Sequence, residues 1–226
     1  MLCREFVAVR SHTKGFFVMP LCCRSWTCEY CAPKRKRQVV AQAKSGHPNK
    51  FITLTVNPAT GEDRADRAAK LARAWRLIVK RVKRYYGYKD VQYFCVFEAH
   101  ESGEPHLHIL ARVGWIGQKW LSQQLKDITG AFVVDIRKVR SQAQMAYYVA
   151  KYVGKEPGKF GTCKRYWTTR SWSQTKKVYK ERFEDRYSAW KIEHQSIATV
   201  LAIVKNYGWT YTQDGDLYDV RYRAPP

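Results

Sequence analysis

Apolar and polar residues alternate through Phe51-Ile52-Thr53-Leu54-Thr55-Val56, a run rich in β-branched side chains that Asn57-Pro58 stops. That pattern predicts a strand. The period then lengthens: across residues 64–86, Leu71, Trp75, Ile78, Val82 and Tyr85 recur at spacings of three and four. Lys70, Arg73, Lys80, Arg81 and Arg84 decorate the other faces, so this is a long amphipathic helix that Gly87 ends. Residues 91–98 and 106–113 read as two more strands joined by the AHESGEP loop, an antiparallel hairpin. Residues 118–128 form a second helix through Leu121, Leu125 and Ile128, and residues 132–139 a fourth strand.

The order β-α-β-β-α-β predicts an α+β fold: a split βαβ, ferredoxin-like, four-stranded antiparallel sheet with helices on one face, its first and third strands central. Two other segments lie outside it. Near the N-terminus, Phe16-Phe17-Val18-Met19 reads as a strand able to pair back onto residues 3–9. Near the C-terminus, a helix over residues 187–205 precedes a hairpin around Asp214-Gly215-Asp216. With a linker at Ser45-Gly46-His47-Pro48-Asn49, the expectation is three successive pieces: 1–45, 46–175 and 176–226.

Charge changes the picture. The 226 residues carry 41 Lys+Arg against 19 Asp+Glu, a formal net charge of +22, and such self-repulsion points to a polyanionic partner, nucleic acid first. No run approaches the roughly 20 apolar residues a bilayer span needs, and the N-terminus lacks a signal-peptide core. The expectation is a cytoplasmic protein with no membrane partner.

Two clusters carry candidate chemistry. In Glu104-Pro105-His106-Leu107-His108-Ile109-Leu110, the strand period puts His106 and His108 on one face and Leu107 and Ile109 on the other. Imidazole is a common metal ligand. Glu98, across the hairpin loop, can complete the set with a carboxylate, with His100 as the competitor. Upstream, PLCCRSWTCEYCAPKRKRQ holds Cys23 and the C-x-x-C pair Cys28 and Cys31, a spacing for structural Zn²⁺. Cys3 is the favoured fourth ligand, against His12 and Cys22. Lys34-Arg35-Lys36-Arg37 follows and could lie along a phosphate backbone. No G-x-x-x-x-G-K-[ST] occurs, so the sequence carries no phosphate-binding loop or fused helicase.

The last helix reads over residues 142–153, opened by a Ser141-x-x-Gln144 capping box and closed by Gly154 and Pro157. Met145, Ala146, Val149, Ala150 and Val153 fill the sector toward the sheet. Tyr148 and Tyr152 share a neighbouring sector with Lys151 and Lys155, and Tyr147 points elsewhere. Two phenols one turn apart beside two cations and converging histidines suggest covalent phosphoryl chemistry.

FITLT, EPHLHIL and YVAKYVGK, in this order, resemble the three motifs of HUH-superfamily rolling-circle replication initiators, and the doubled tyrosine is similar to the two-tyrosine type of small single-stranded DNA phages. The likeness runs from the cysteine knuckle to Arg170, where GTCKRYWTTRSW resembles the family's basic segment. It implies an HUH endonuclease domain in residues 46–175, a metal-dependent nickase and strand transferase. His106, His108 and Glu98 would hold Mg²⁺ or Mn²⁺, and Tyr148 and Tyr152 would act as nucleophiles assisted by Lys151. Lys34, Arg35, Lys36, Arg37 and Lys155 would bind DNA, with Trp115, Trp120 and Trp167 offering rings to bases. The implied product is a 5′-phosphotyrosine with a free 3′-hydroxyl, later rejoined. The implied partners are single-stranded DNA at a phage or plasmid origin and a host helicase and polymerase. A transposase or relaxase of the same superfamily, or a non-catalytic zinc-knuckle DNA-binding protein, are the alternatives.

Overall fold

The computed structural model of the chain describes residues 3–58, 62–148, 151–152, 157–172 and 190–222. In chain order its elements begin with β1 (Val7–His12), β2 (Gly15–Pro20), α1 (Cys31–Ser45), β3 (Lys50–Thr55), α2 (Arg64–Tyr86), β4 (Gln92–Ala99) and β5 (Pro105–Arg112). They continue with α3 (Gln118–Thr129), β6 (Val134–Lys138), α4 (Gln142–Tyr148), β7 (Tyr166–Thr168), β8 (Lys191–Glu193), α5 (Ile197–Asn206), β9 (Thr210–Asp214) and β10 (Leu217–Arg221).

Two compact units result: Lys36–Thr175, and Met1–Arg35 together with Lys176–Pro226. The three successive pieces expected from composition give way to this division because the terminal segments share a sheet, in the order β8-β1-β2-β10-β9. β1 pairs antiparallel with β2 from Val7↔Pro20 to His12↔Gly15, and β10 pairs with β2 on its other edge. A small core of Val7, Val18, Ile197, Val200, Val204, Tyr218 and Val220 lies beneath α5. That helix begins later than residue 187 because Ser196 caps it, its hydroxyl accepting from Thr199 N–H at 3.1 Å. The hairpin around Gly215 forms where the sequence put it.

The larger unit has the sheet order β6-β3-β5-β4-β7, every pairing antiparallel. β3 and β5 are interior, as the β-α-β-β-α-β order requires. The expected four strands become five: residues 166–168 pair along the outer edge of β4, satisfying backbone groups that edge would otherwise leave open. One face buries Ile52, Leu54, Cys95, Phe97, Leu107, Ile109 and Val134 against Leu71, Trp75, Ile78 and Val82 of α2 and Leu121 and Leu125 of α3. α2 spans the predicted residues, capped by the Asp63 carboxylate and closed by Gly87 at φ 68°.

The expectation of helices on one face holds for α2 and α3 and fails for α4. In α4 the Tyr148 ring stacks on Phe51 of β3, with centroids 4.6 Å apart and planes 2° from parallel. Phe51 shares its sheet face with His108, opposite Ile52 and Leu54. α4 also departs from a regular helix over residues 142–153. Ser141 Oγ does accept from Gln144 N–H at 3.1 Å, while Gln144 Oε1 accepts from the Arg140 N–H, one residue earlier than a reciprocal box predicts. The α-helix ends at Tyr148, and Lys151-Tyr152 lie in a wider π turn. Val149, Ala150 and Val153 fall outside the described residues.

Trp172 closes this unit near the end of α1. It is 2% exposed, and its indole N–H donates to the Gln42 carbonyl at 2.8 Å. A Cβ at Gly46 would fall 2.1 Å from the Trp172 ring, closer than any real contact. Gly46→Ala must therefore displace the indole, and we expect a loss of about 1–3 kcal/mol, read as a lower melting temperature with unchanged Zn²⁺ content.

Candidate functional site

β5 carries the centre of the site, and its position begins at Glu104. Arg67, 7% exposed on α2, donates to Glu104 through Nε and Nη2 at 2.8 and 2.9 Å, and Arg64 adds a third contact. Those guanidinium bonds, Arg67 foremost, hold the Glu104 carboxyl below its usual range. The residue before Pro105-His106 is thereby fixed to the long helix.

Register then selects the neighbours. Thr53 and Val96 lie opposite His108, and Thr55 and Glu98 lie opposite His106. His108 is 3% exposed and engaged at both ring nitrogens: Nε2 with Glu98 Oε2 at 2.7 Å and Nδ1 with Thr53 Oγ1 at 3.0 Å. A carboxylate only accepts, so Nε2 carries the proton when Glu98 is ionised, and Thr53 then donates to Nδ1. His106 stacks on His100, centroids 4.8 Å apart, and lies 6.3 Å from the His108 ring. Burial first, then the His100 and His108 imidazoles, lower its pKa from the ordinary histidine value. That favours the neutral form a metal needs. His100 itself engages Ser102 through Nδ1 at 3.2 Å.

The structure thus joins Glu98 to His108 and sets His106 beside both. The donor set suits a hard divalent ion in chemistry. It is not closed: among the described residues, the one group of three or more His, Cys, Asp or Glu donors all within 4.8 Å of one another is the cysteine cluster.

The tyrosines approach the same face unequally. Tyr152 lies over His108, ring centroids 4.1 Å apart at 37°, and also contacts Phe51 at 4.9 Å. Lys151 Nζ is 5.1 Å from the Tyr152 centroid, and a hydrogen bond to the Tyr152 hydroxyl leads the causes that raise its pKa. Tyr148 is 6% exposed, flat against Phe51. Its hydroxyl takes a hydrogen bond from Arg137 of β6, the largest cause raising that guanidinium's pKa. Tyr147 is 59% exposed. Lys155 lies outside the described residues.

Phe51, Thr53 and Arg137 are the residues sequence reasoning missed. Phe51 and Thr53 were findable, because period-two counting on FITLT places both on the histidine face; Arg137 required the register Phe51↔Arg137 between β3 and β6.

In the other unit, the sulfurs of Cys3, Cys23, Cys28 and Cys31 all lie within 4.8 Å of one another. Cys3–Cys31 and Cys23–Cys31 are 3.4 and 3.8 Å apart. Tetrahedral zinc with bonds of about 2.3 Å requires sulfurs about 3.8 Å apart, so the residues fit such an ion. The Cys31 backbone N–H, first among the causes, lowers the Cys28 pKa to about 7. The competing ligands go elsewhere: Cys22 Sγ donates to the Pro20 carbonyl, and His12 Nε2 pairs with Asp219 at 3.1 Å. Two of the four cations beyond the knuckle are internally engaged. Lys34 pairs with Asp216, and Arg35 lies over Trp26 at 4.6 Å and donates to the Arg24 carbonyl. Lys36 is half-buried and Arg37 exposed.

Of the three tryptophans, Trp120 and Trp167 pack partly buried against the core, whereas Trp115 is 68% exposed. Trp115 follows the far end of β5, six strand steps or about 20 Å from His106. It is not beside the site.

A sheet with paired histidines and a carboxylate on one face, covered by a helix bearing tyrosines, defines this unit as a candidate phosphoryl-transfer domain. The family model described as replication-associated protein ORF2 matches residues 49–157. The matched stretch contains β3, both histidines, Glu98 and both tyrosines, and its similarity is to replication-associated proteins. No curated protein and no solved structure matches the chain. Among the described residues, no helix is long and apolar enough to cross a membrane.

The cysteine geometry yields a sharp test. Cys3→Ser should reduce tightly bound zinc by at least about tenfold, whereas Cys22→Ser should leave it unchanged. Elemental analysis of the purified variants checks both.

Proposed function

We propose that this chain is an HUH-type replication initiator that nicks single-stranded DNA at an origin and later rejoins strands. The observation that carries the reading is the Tyr152 ring over His108 with Lys151 beside it, within the segment that matches a replication-associated family. The positive charge of the chain supports a DNA substrate.

The reaction follows from the parts. Mg²⁺ or Mn²⁺ on His106, His108 and Glu98 would polarise the scissile phosphate and offset its developing charge. The Tyr152 oxygen attacks phosphorus and forms a P–O bond. The 3′ oxygen leaves and takes up a proton, which gives a 5′-phosphotyrosine and a free 3′-hydroxyl. An unperturbed phenol, with a pKa of about 10, attacks weakly at neutral pH. Lys151 answers this as a cation rather than a base, because its pKa is raised and it stays protonated beside the Tyr152 oxygen. Thr53 holds the His108 ring, and Glu98 occupies its other nitrogen. Rejoining is the reverse attack by a 3′-hydroxyl. Tyr148, buried on Phe51 and held by Arg137, is the second nucleophile in this scheme and acts after the first.

The test uses the full chain with a random-sequence single-stranded oligonucleotide pool and Mn²⁺, labelled at one end or the other. A denaturation-resistant adduct should carry the 3′ label and vanish with chelator. Tyr152→Phe, His106→Ala and His108→Ala should each lower its yield at least about 100-fold, and Tyr148→Phe by less than about tenfold. Adduct formation that survives Tyr152→Phe and is lost with Tyr148→Phe would reverse the assignment. Absence of any adduct would favour a DNA-binding protein without catalysis.

A further inference from the structure

The unit built from the chain termini carries an aromatic cluster that the nicking reaction does not use. Tyr207 stacks on Trp209, centroids 4.9 Å apart at 21°. Trp209 meets Tyr222 at 4.9 Å, and Phe16 lies beneath, 6.2 Å from Trp209 and 6.1 Å from Tyr222. Trp209 and Phe16 pack on the small core. Tyr207 and Tyr222 do not complete it, since they are 65% and 47% exposed. The rings are held by backbone. Tyr207, Gly208 and Trp209 donate N–H bonds to the carbonyls of Ile203, Lys205 and Val204, each at 3.0 Å. Gly208 supplies the positive φ of 65° that folds Trp209 back beside Tyr207. Tyr222 N–H donates to the Lys14 carbonyl at 3.0 Å.

Two cations frame these rings. Lys14, in the β1–β2 turn, and Lys205, at the end of α5, are exposed, and neither forms an ion pair among the described residues. The carboxylates of Asp214 and Asp216 lie at the other end of the β9–β10 hairpin, because Thr210↔Arg221 is the end beside Trp209 and Asp214↔Leu217 the opposite one.

We infer that Tyr207, Trp209 and Tyr222, flanked by Lys14 and Lys205, form a second binding surface for single-stranded DNA, stacking unpaired bases while the lysines contact phosphates. Fixed rings with exposed faces offer stacking at little ordering cost, and stacking tolerates any base sequence. Cations at the margin match the anionic backbone and make binding salt-dependent. A protein partner would want the same rings but would not require the lysines or discriminate unpaired from paired bases.

This surface is independent of nicking, so the test is run in chelator, where the proposed metal chemistry is silent. Full-length protein is titrated into fluorescent oligothymidylate of about thirty nucleotides, with oligouridylate and a DNA duplex of equal length as the other arms. Tyr207→Ala/Tyr222→Ala should weaken oligothymidylate binding at least about fivefold. Tyr207→Phe/Tyr222→Phe should not, because rings rather than hydroxyls do the stacking. Lys14→Glu/Lys205→Glu should weaken binding and flatten its salt dependence. An alanine variant with a wild-type melting curve and unchanged oligothymidylate affinity overturns the inference. So does a loss confined to oligouridylate, or one equally large on duplex.

Discussion

Everything at the histidine face depends on β5 keeping its register. The strand is paired on both sides, with β3 and β4, and further strands lie beyond each. Leu107 and Ile109 are fully buried against α2 and α3. A slip of one residue would expose both aliphatic side chains and drive two imidazoles into an apolar core, so the alternation that builds the core also sets the direction of His106 and His108. Thr53 and Glu98 reach His108 through the same two ladders. The Arg67–Glu104 fork then ties the first residue before the strand to α2, so the site inherits its precision from sheet and helix rather than from the AHESGEP loop.

The same face imposes an asymmetry on the tyrosines. A regular helix through residues 148–152 would present two phenols as equivalents one turn apart. The wider turn at Lys151-Tyr152 breaks that equivalence, as π turns at functional positions commonly do. Tyr148 is drawn onto Phe51 and capped by Arg137, which gives it a packing role and a fixed hydroxyl. Tyr152 is left over His108 with its oxygen beside an ammonium. Phe51 touches both rings, so a single aromatic on β3 sets how the helix bearing them meets the sheet.

What the sequence revealed follows from which forces are local. Period-two and period-3.6 patterns are local, so β3, α2, β4, β5 and α3 could be read nearly to the residue, as could the shared face of His106 and His108. The C-x-x-C spacing and the β1–β2 pairing narrowed the fourth sulfur to a short choice, and the fold resolves it because Cys22 and His12 find other partners. The three-residue strand β7 was not legible, since its edge pairing with β4 comes from a segment some 70 positions away in sequence. The union of both termini in one sheet was hidden for the same reason. The Arg137–Tyr148 contact depends on β6 register and helix winding together, and neither has a one-dimensional signature.

That union of termini sets an energetic problem the cysteines answer. The unit of Met1–Arg35 and Lys176–Pro226 is interrupted by the whole of the larger one, so its two segments meet only after a long loop is closed. Its buried core amounts to a handful of side chains around Val7, Val18, Val200 and Val220, and small cores of this kind need an added constraint. The four thiols gather Cys3 at one end of β1 and the Cys23–Cys31 turn at one end of β2, and Lys34 in the turn after them pairs with Asp216 from the C-terminal hairpin. An ion at those thiols would fix the N-terminal hairpin as a finished edge, and the C-terminal segment would then have only to add β10 along β2 and seat α5 upon it. Metal binding and chain closure in this unit are therefore one equilibrium, and the aromatic rings that end the C-terminal hairpin are ordered by it.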